Sequence, residues 1–319
     1  DENTTNDQWI LDPPPFPKKT EKKPSQILEL ISPHPTHHPS PAGKTSLLYL
    51  TTTLAILPPS LSNVHLNGKN AAIVIIDPLS HFSSERLAEV ALTYLVSKLQ
   101  ESGRDVTSNA LRREILECVK NALVHVHIFR PVSWESMLET LGRMPEYLFD
   151  GTRHLSTQRH VHALVLEDVD VFTSYIRATS ASTTTTTTTT PTNPLTPASA
   201  QLTTHLTTLL ALLSCPVILT SHSATPSSFR PALPTSWPRG TQVTRLAVRR
   251  VEVIKFAPGL SVEEAESERA QRWEVVRRAR FEAWKVGSGG KGTGVGRGEE
   301  GFVFRVGRSV DVERGKESN

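Results

Sequence analysis

Short, continuous apolar runs alternate along the chain with longer stretches in which apolar residues recur at helical spacing. The runs at 71–77 and 161–168 both end in an acid. Uninterrupted runs of this kind are typical of strands buried on both faces of a parallel sheet. The pattern predicts strands at 26–31, 71–77, 124–129, 161–168 and 216–220, and helices at 45–57, 83–99, 108–121, 133–144 and 200–213. This alternation predicts an α/β fold with a doubly wound, mainly parallel sheet flanked by helices.

The C-terminal part of the chain carries a different pattern. We predict three further strands at 243–248, 251–256 and 301–306, the first two joined by a tight antiparallel turn at Arg249 and Arg250. Residues 262–286 are acidic first and basic later, an order that suits the dipole of one charged helix. The chain is therefore expected to add antiparallel strands at its C-terminal end.

Low-complexity segments set the expected domain boundaries. Residues 1–25 are polar and rich in proline and lysine, which indicates a flexible basic arm. A threonine run dominates 179–199, which we expect to be a disordered insertion, and 287–298 is a glycine-rich linker. Both segments interrupt a single core at 26–308, and 309–319 is expected to be a tail.

Composition narrows the class of protein only slightly. The 319 residues carry a formal net charge of +3 and 37% hydrophobic residues, so a nucleic-acid-binding surface would have to be local. Cys118 and Cys215 have no paired spacing, which argues against a disulfide framework or zinc site and fits a reducing compartment. No apolar run reaches membrane-spanning length, so we expect no membrane partner.

One short motif carries the most specific chemistry. It consists of Pro41, Ala42, Gly43, Lys44, Thr45 and Ser46. Because it joins an apolar strand to an apolar helix, it has the setting of a phosphate-binding loop. Lys44 would reach the β- and γ-phosphates of ATP, and the Thr45 hydroxyl would bind Mg²⁺. The motif is incomplete, since its first glycine is replaced by His38, whose β-carbon obstructs the tight turn.

Polar residues collect where the parallel strands are expected to end. These residues are Asp77, Glu167, Asp168, Ser221 and His222. Ligands of open α/β sheets bind at the carboxyl ends of the strands, so we expect these side chains to border the site.

Four pieces of sequence, in this order, resemble the RecA-type recombination ATPases and, more narrowly, the eukaryotic recombinase paralogues. Within that family they are most similar to the branch of the second X-ray-repair cross-complementing paralogue and its fungal forms. The pieces are 27–30 with 42–49, then 75–82, then 164–172, and finally 217–222 with 244–246 and 301–304. The resemblance implies a RecA-like P-loop NTPase core with C-terminal antiparallel strands.

The resemblance also implies roles for individual positions. Lys44 and Thr45 match the nucleotide-phosphate and magnesium positions. Glu167 matches the acid that holds the magnesium-bound water, and Asp168 is a neighbour that could substitute for it. His222 falls at the polar sensor position after the fourth strand, and adds to the nucleotide-binding set.

No confident catalytic residue follows from this resemblance. The carboxylate that activates water usually lies two residues after the acid that is Asp77 here, and this chain has Leu79 at that position. A leucine cannot accept a proton. We therefore expect weak or absent ATP hydrolysis.

The implied function is that of a recombinase-paralogue subunit in repair of DNA double-strand breaks by homologous recombination in the nucleus. We see no Phe-x-x-Ala self-assembly motif in 1–25, so we expect a hetero-oligomer with another RecA-type paralogue, assisting recombinase filament assembly. Two alternatives stay open. One is an active P-loop ATPase or small-molecule kinase, and the other is a pseudo-ATPase scaffold that binds no nucleotide.

Single-stranded or branched DNA is the other expected partner. In RecA-type proteins the loops after the third and fourth motif strands face the DNA, and the second of these loops covers 223–241 here. Its candidate DNA contacts are Phe229, Arg230, Trp237 and Arg239, because aromatic rings stack on unpaired bases and arginines neutralise phosphates. The alternative is that the two aromatic rings anchor the loop to the core.

Overall fold

A 10-stranded sheet organises the part of the chain that the structure describes. The structure is a computed structural model, and it describes residues 26–34, 43–183, 193–225, 228–251, 261–264, 266–267, 269, 273, 279–286 and 301–313. The strands are β1 (Gln26–Ser32), β2 (Ser60–Leu61), β3 (Val64–His65), β4 (Ala72–Ile76), β5 (Val126–Phe129), β6 (Val161–Leu166), β7 (Val217–Thr225), β8 (Ser228–Pro231), β9 (Gln242–Arg250), β10 (Arg280–Lys285), β11 (Gly301–Val306) and β12 (Val310–Glu313). The helices are α1 (Lys44–Ile56), α2 (Ser84–Glu101), α3 (Asn109–Leu123), α4 (Trp134–Leu148), α5 (Thr173–Thr183) and α6 (Leu195–Leu213).

The sheet has a parallel half and an antiparallel half. Its order is β12-β11-β10-β9-β1-β7-β6-β4-β5, with β8 paired to β7. The strands from β9 to β5 in this order are parallel, whereas β9 to β12 pair antiparallel. This confirms the predicted α/β class, the mainly parallel sheet and the C-terminal antiparallel strands.

Helices cover both faces of the sheet, which explains why its central strands are uniformly apolar. Every residue of β4 is buried. Helices α1, α2 and α3 pack on one face through residues such as Leu48 and Leu95, and α4 and α6 pack on the other through Met137 and Leu206. The helix starts agree with the sequence: the Ser83 and Ser133 hydroxyls accept the backbone N–H groups of the first turns of α2 and α4.

Strand β1 lies in the middle of the sheet, between two strands from the far end of the chain. It pairs in parallel with β7 and with β9. Its buried Glu29 carboxylate accepts hydrogen bonds from Arg245 Nε at 2.8 Å, Thr235 Oγ1 at 2.6 Å and Trp237 Nε1 at 3.1 Å. The carboxylate thereby joins β1, β9 and the loop between β8 and β9.

The prediction of a charged helix over 262–286 was wrong at its C-terminal end. Residues 280–285 form β10, in which Phe281 pairs with Arg250 and Glu282 with Arg249. The predicted turn at Arg249 and Arg250 was wrong for the same reason, because both residues belong to β9. The strand predicted at 251–256 falls almost wholly outside the described residues.

Two predicted domain boundaries also need correction. Helix α5 runs to Thr183 and α6 begins at Leu195, so both ends of the predicted disordered segment 179–199 are helical. The predicted tail at 309–319 begins with β12, which pairs with β11. The predicted arm 1–25 and the linker 287–298 lie outside the described residues.

None of the described helices combines the length and hydropathy that crossing a bilayer requires.

Candidate functional site

The N-terminus of α1 forms one end of the candidate site. Gly43 caps this helix in the left-handed region at φ 86, and its Cα faces two aromatic rings: a β-carbon there would lie 2.8 Å from Phe281 Cδ1 and 3.0 Å from Phe304 Cζ. The backbone N–H groups of a first helical turn attract phosphate, and Ser46 belongs to this turn. The preceding Pro41 and Ala42 lie outside the described residues.

Lys44 projects from this helix start into the sheet edge. Its buried ammonium donates to Ser32 Oγ at 3.2 Å, to Asp168 Oδ1 at 3.2 Å and to the backbone carbonyl of Ser221 at 3.0 Å. These three acceptors lie at or directly after the carboxyl ends of β1, β6 and the parallel part of β7. The structure therefore places the Lys44 ammonium at the meeting point of the strand ends.

Thr45 and Glu167, the two residues that the resemblance links to magnesium, are in direct contact. The Thr45 hydroxyl donates to Glu167 Oε1. Among the described residues, no group donates to the other oxygen, Glu167 Oε2, although it is buried. Burial raises the pKa of Glu167 to about 7, against the lowering effect of the Thr45 hydrogen bond. A hydroxyl beside an orphaned carboxylate oxygen fits a hard cation such as Mg²⁺, which takes oxygen ligands and keeps part of its water shell.

Asp168 has a different set of partners, although it is the next residue. Its backbone is left-handed at φ 47, and one carboxylate oxygen accepts from Lys44 while the other contacts His81 Nδ1 at 3.0 Å. Burial opposes ionisation of Asp168, but the charge and hydrogen bond of Lys44 prevail and lower its pKa. Both oxygens of Asp168 are therefore engaged by Lys44 and His81, whereas Thr45 and Glu167 leave one carboxylate oxygen without a donor among the described residues.

The Asp77 carboxylate fixes the loop after β4 by hydrogen bonds to its backbone. The carboxylate accepts the backbone N–H of His81 at 3.0 Å and that of Phe82 at 2.9 Å. The Phe82 ring is fully buried against Tyr49, with ring centroids 4.5 Å apart. Leu79, at the position where a general base was sought, is 42% exposed and offers no acceptor atom.

His222 lies beside a third acid. It falls within β7, which is longer than predicted, and its Nδ1 contacts Asp170 Oδ2 at 3.1 Å. One ligand atom from each of Asp168, Asp170 and His222 lies within 4.8 Å of the others. The predicted sensor residue thus borders the site through Asp170.

The predicted DNA contacts divide into two kinds. Phe229 packs edge-on against the buried Trp284 ring with centroids 5.2 Å apart, and Trp237 donates its indole N–H to Glu29. Both rings are partly buried, whereas Arg230 and Arg239 are exposed. These contacts agree with the alternative hypothesis, in which the two aromatic rings anchor the segment to the core. Arg230 and Arg239 remain exposed.

Sequence reasoning named Lys44, Thr45 and Glu167 as site residues but did not predict the contacts of Ser32, His81 and Asp170. Each of the missed residues acts through a contact between elements distant in sequence. A histidine following a strand-ending acid was the available signal for His81. Comparison with family models and with curated proteins returned no match to this chain.

Proposed function

We propose that this chain is an ATP-binding subunit of the recombinase-paralogue type, with weak or absent hydrolysis, that acts in homologous-recombination repair in the nucleus. The observation that carries the proposal is the convergence of Lys44, Thr45, Glu167 and Asp168 on one end of the parallel sheet. A lysine and a hydroxyl at a helix start, facing acids at the end of a neighbouring strand, are the parts that phosphate-loop ATPases use to bind Mg-ATP.

The other parts of the proposal rest on the resemblance and on the segment made of β8 and the loop between β8 and β9. The partner would be a second RecA-type paralogue, and single-stranded or branched DNA would contact Arg230 and Arg239. Weak turnover follows from Leu79, since losing a general base typically costs about 10²–10⁴-fold in rate.

Nucleotide binding is tested first, by calorimetric titration of the purified chain with Mg-ATP. We expect binding that Lys44→Ala abolishes, because the ammonium is the group that reaches the phosphates. The matched control is Lys98→Ala, since Lys98 pairs on the surface with Glu101 at 2.6 Å. Absence of binding in the parent chain, or equal binding in both variants, would contradict the proposal and favour a scaffold without nucleotide.

A further inference from the structure

A preorganised loop presents His81 to the site. Asp77 holds the backbone N–H groups of His81 and Phe82, Ser80 adopts a left-handed backbone at φ 57, and the Phe82 ring is locked in the core. The hydroxyl of Tyr49 also accepts the N–H of Ser83 at 2.9 Å. The position of the His81 backbone is therefore fixed from both sides.

The imidazole of His81 is oriented by a buried carboxylate. Nδ1 lies 3.0 Å from Asp168 Oδ2, and the His81 side chain is 54% exposed whereas that of Asp168 is 8% exposed. An ionised carboxylate only accepts hydrogen bonds, so Nδ1 is the donor, and in the tautomer that donates from Nδ1 the lone pair lies on Nε2. Within the described part of the chain, Nε2 has no hydrogen-bond partner.

His81 and Lys44 share this carboxylate. Asp168 Oδ1 accepts from the Lys44 ammonium at 3.2 Å while Oδ2 holds the imidazole. Lys44 is the predicted contact of the terminal phosphates. The imidazole of His81 would therefore lie close to the γ-phosphate of a bound nucleotide, because a single carboxylate, that of Asp168, separates it from the Lys44 ammonium. Leu79 cannot hold a water molecule by a hydrogen bond, and His81 can.

We propose that His81 is a catalytic residue that orients the attacking water in the slow hydrolysis of ATP. The inference rests on the proposed function, because it requires ATP at Lys44. The water would donate one hydrogen bond to Nε2, and its oxygen would form a bond to the γ-phosphorus as the bond from that phosphorus to the β–γ bridging oxygen breaks. ADP leaves with the bridging oxygen, and both water protons end on the phosphate product. A neutral imidazole suffices for this role, as it does for other water-positioning side chains.

The test is a comparison of the parent with four variants in a phosphate-release assay, Lys44→Ala giving the background rate, with calorimetric Mg-ATP affinity measured in parallel. His81→Asn keeps a donor for Asp168 but removes the atom that faces the water, and His81→Gln offers an acceptor farther from the backbone. His65→Asn is the matched control, since His65 is exposed on β3. We expect His81→Asn to reduce turnover to the rate of Lys44→Ala without changing ATP affinity, His81→Gln to retain part of the rate, and the control to match the parent.

The outcomes separate this inference from the proposed function. If the parent does not bind Mg-ATP, both fail. If it binds but shows no Lys44-dependent turnover, or if His81→Asn turns over like the parent, only the role of His81 is overturned. A merely structural His81 that satisfies Asp168 would produce the last result, because asparagine makes the same hydrogen bond.

Discussion

Two neighbouring carboxyls show how strongly single partners decide chemistry at the residue scale. Glu167 receives a hydrogen bond from a neutral hydroxyl, and burial raises its pKa to about 7. Asp168 is also buried, but the Lys44 ammonium overcomes that effect and lowers its pKa. One acid therefore stays charged at neutral pH, whereas the other titrates close to neutral pH.

A buried histidine gives a prediction for stability against pH. His127 bonds to Tyr147 Oη at 2.9 Å and Ser156 Oγ at 2.9 Å, and burial lowers its pKa from 6.5 to about 4. Between these values the unfolded chain binds the proton and the fold does not, so this contribution to stability is present above pH 6.5 and is lost as pH falls to about 4. The contribution is at most about 3 kcal/mol.

The raised pKa of Glu167 makes the fold more stable as pH falls from 7 to 4.5, which opposes the effect of His127. The His127 variant and the parent therefore have to be compared at each pH. We expect His127→Gln to destabilise the chain at pH 7.5 and to cost progressively less towards pH 4.5, as measured by urea unfolding. His160→Gln is the control, because His160 is exposed. A constant difference between His127→Gln and the parent at every pH would show that His127 does not carry this dependence.

Gly43 gives a second prediction at the residue scale. Gly43→Ala adds the strain of a left-handed alanine and forces a β-carbon against Phe281 and Phe304, whose rings stack 5.3 Å apart. Gly240 has nearly the same φ, +88, with no atom within 4 Å of its added β-carbon, so Gly240→Ala measures the strain alone. We expect Gly43→Ala to cost about 1–3 kcal/mol more than Gly240→Ala in unfolding free energy, and Phe281→Leu in its background to recover part of this. If the two glycine variants lose the same unfolding free energy, the rings of Phe281 and Phe304 move aside without measurable cost.

At the scale of elements, the strands and helices that could be predicted from the sequence are those with a clear local signal. β4 and the last four residues of β6 were recognisable because they form uninterrupted apolar runs that are fully buried, and α2 and α4 because serine caps precede them. β10 was mistaken for the end of a helix, since its pairing with β9 depends on contacts that charge order does not reveal. Likewise, the site pair of Thr45 and Glu167 follows from a motif, whereas the contact of His81 with Asp168 depends on a left-handed turn at Ser80 that no glycine marks.

The prediction on DNA concerns β8 together with the loop between β8 and β9. With Phe229 and Trp237 engaged inside the protein, we expect salt-sensitive, sequence-independent binding of single strands that depends on Arg230 and Arg239. Changing both arginines to alanine should reduce the salt slope by up to about 1.4 units, because each lost phosphate contact removes about 0.7. The measurement is fluorescence anisotropy of a labelled oligonucleotide over a salt series.

A control for net charge comes from α3. Arg112 and Arg113 are exposed there and donate to backbone carbonyls of their own segment, so their double alanine variant removes the same charge from another surface. If both double variants change the salt slope equally, the effect is one of total charge and the loop is not the contact.

At the scale of the whole molecule, one edge of the sheet has exposed apolar residues near it that a partner could cover. β5 is an edge strand, and the residues that follow β5 and α4 include Val132, Phe149 and Leu155, which are 90%, 66% and 74% exposed. We expect light scattering of the isolated chain with Mg-ATP to show no long filaments, and mass spectrometry of proteins co-purified with a tagged chain to identify a second RecA-type protein. Filaments of this chain alone would contradict the expectation of a hetero-oligomer.

The central position of β1 has a consequence for how the protein is made. β1 is the first strand described, yet contacts such as that between Ser32 and Ser221 span 189 residues, and the one between Glu29 and Arg245 spans 216. At a synthesis rate of about 5–20 residues per second, this strand waits roughly 10–40 s for its neighbours, with both edges unpaired and its apolar side chains uncovered. Contacts this distant in sequence slow folding, so a nascent chain that ends before β7 should remain fully sensitive to protease, and production in cells should depend on chaperones during that interval.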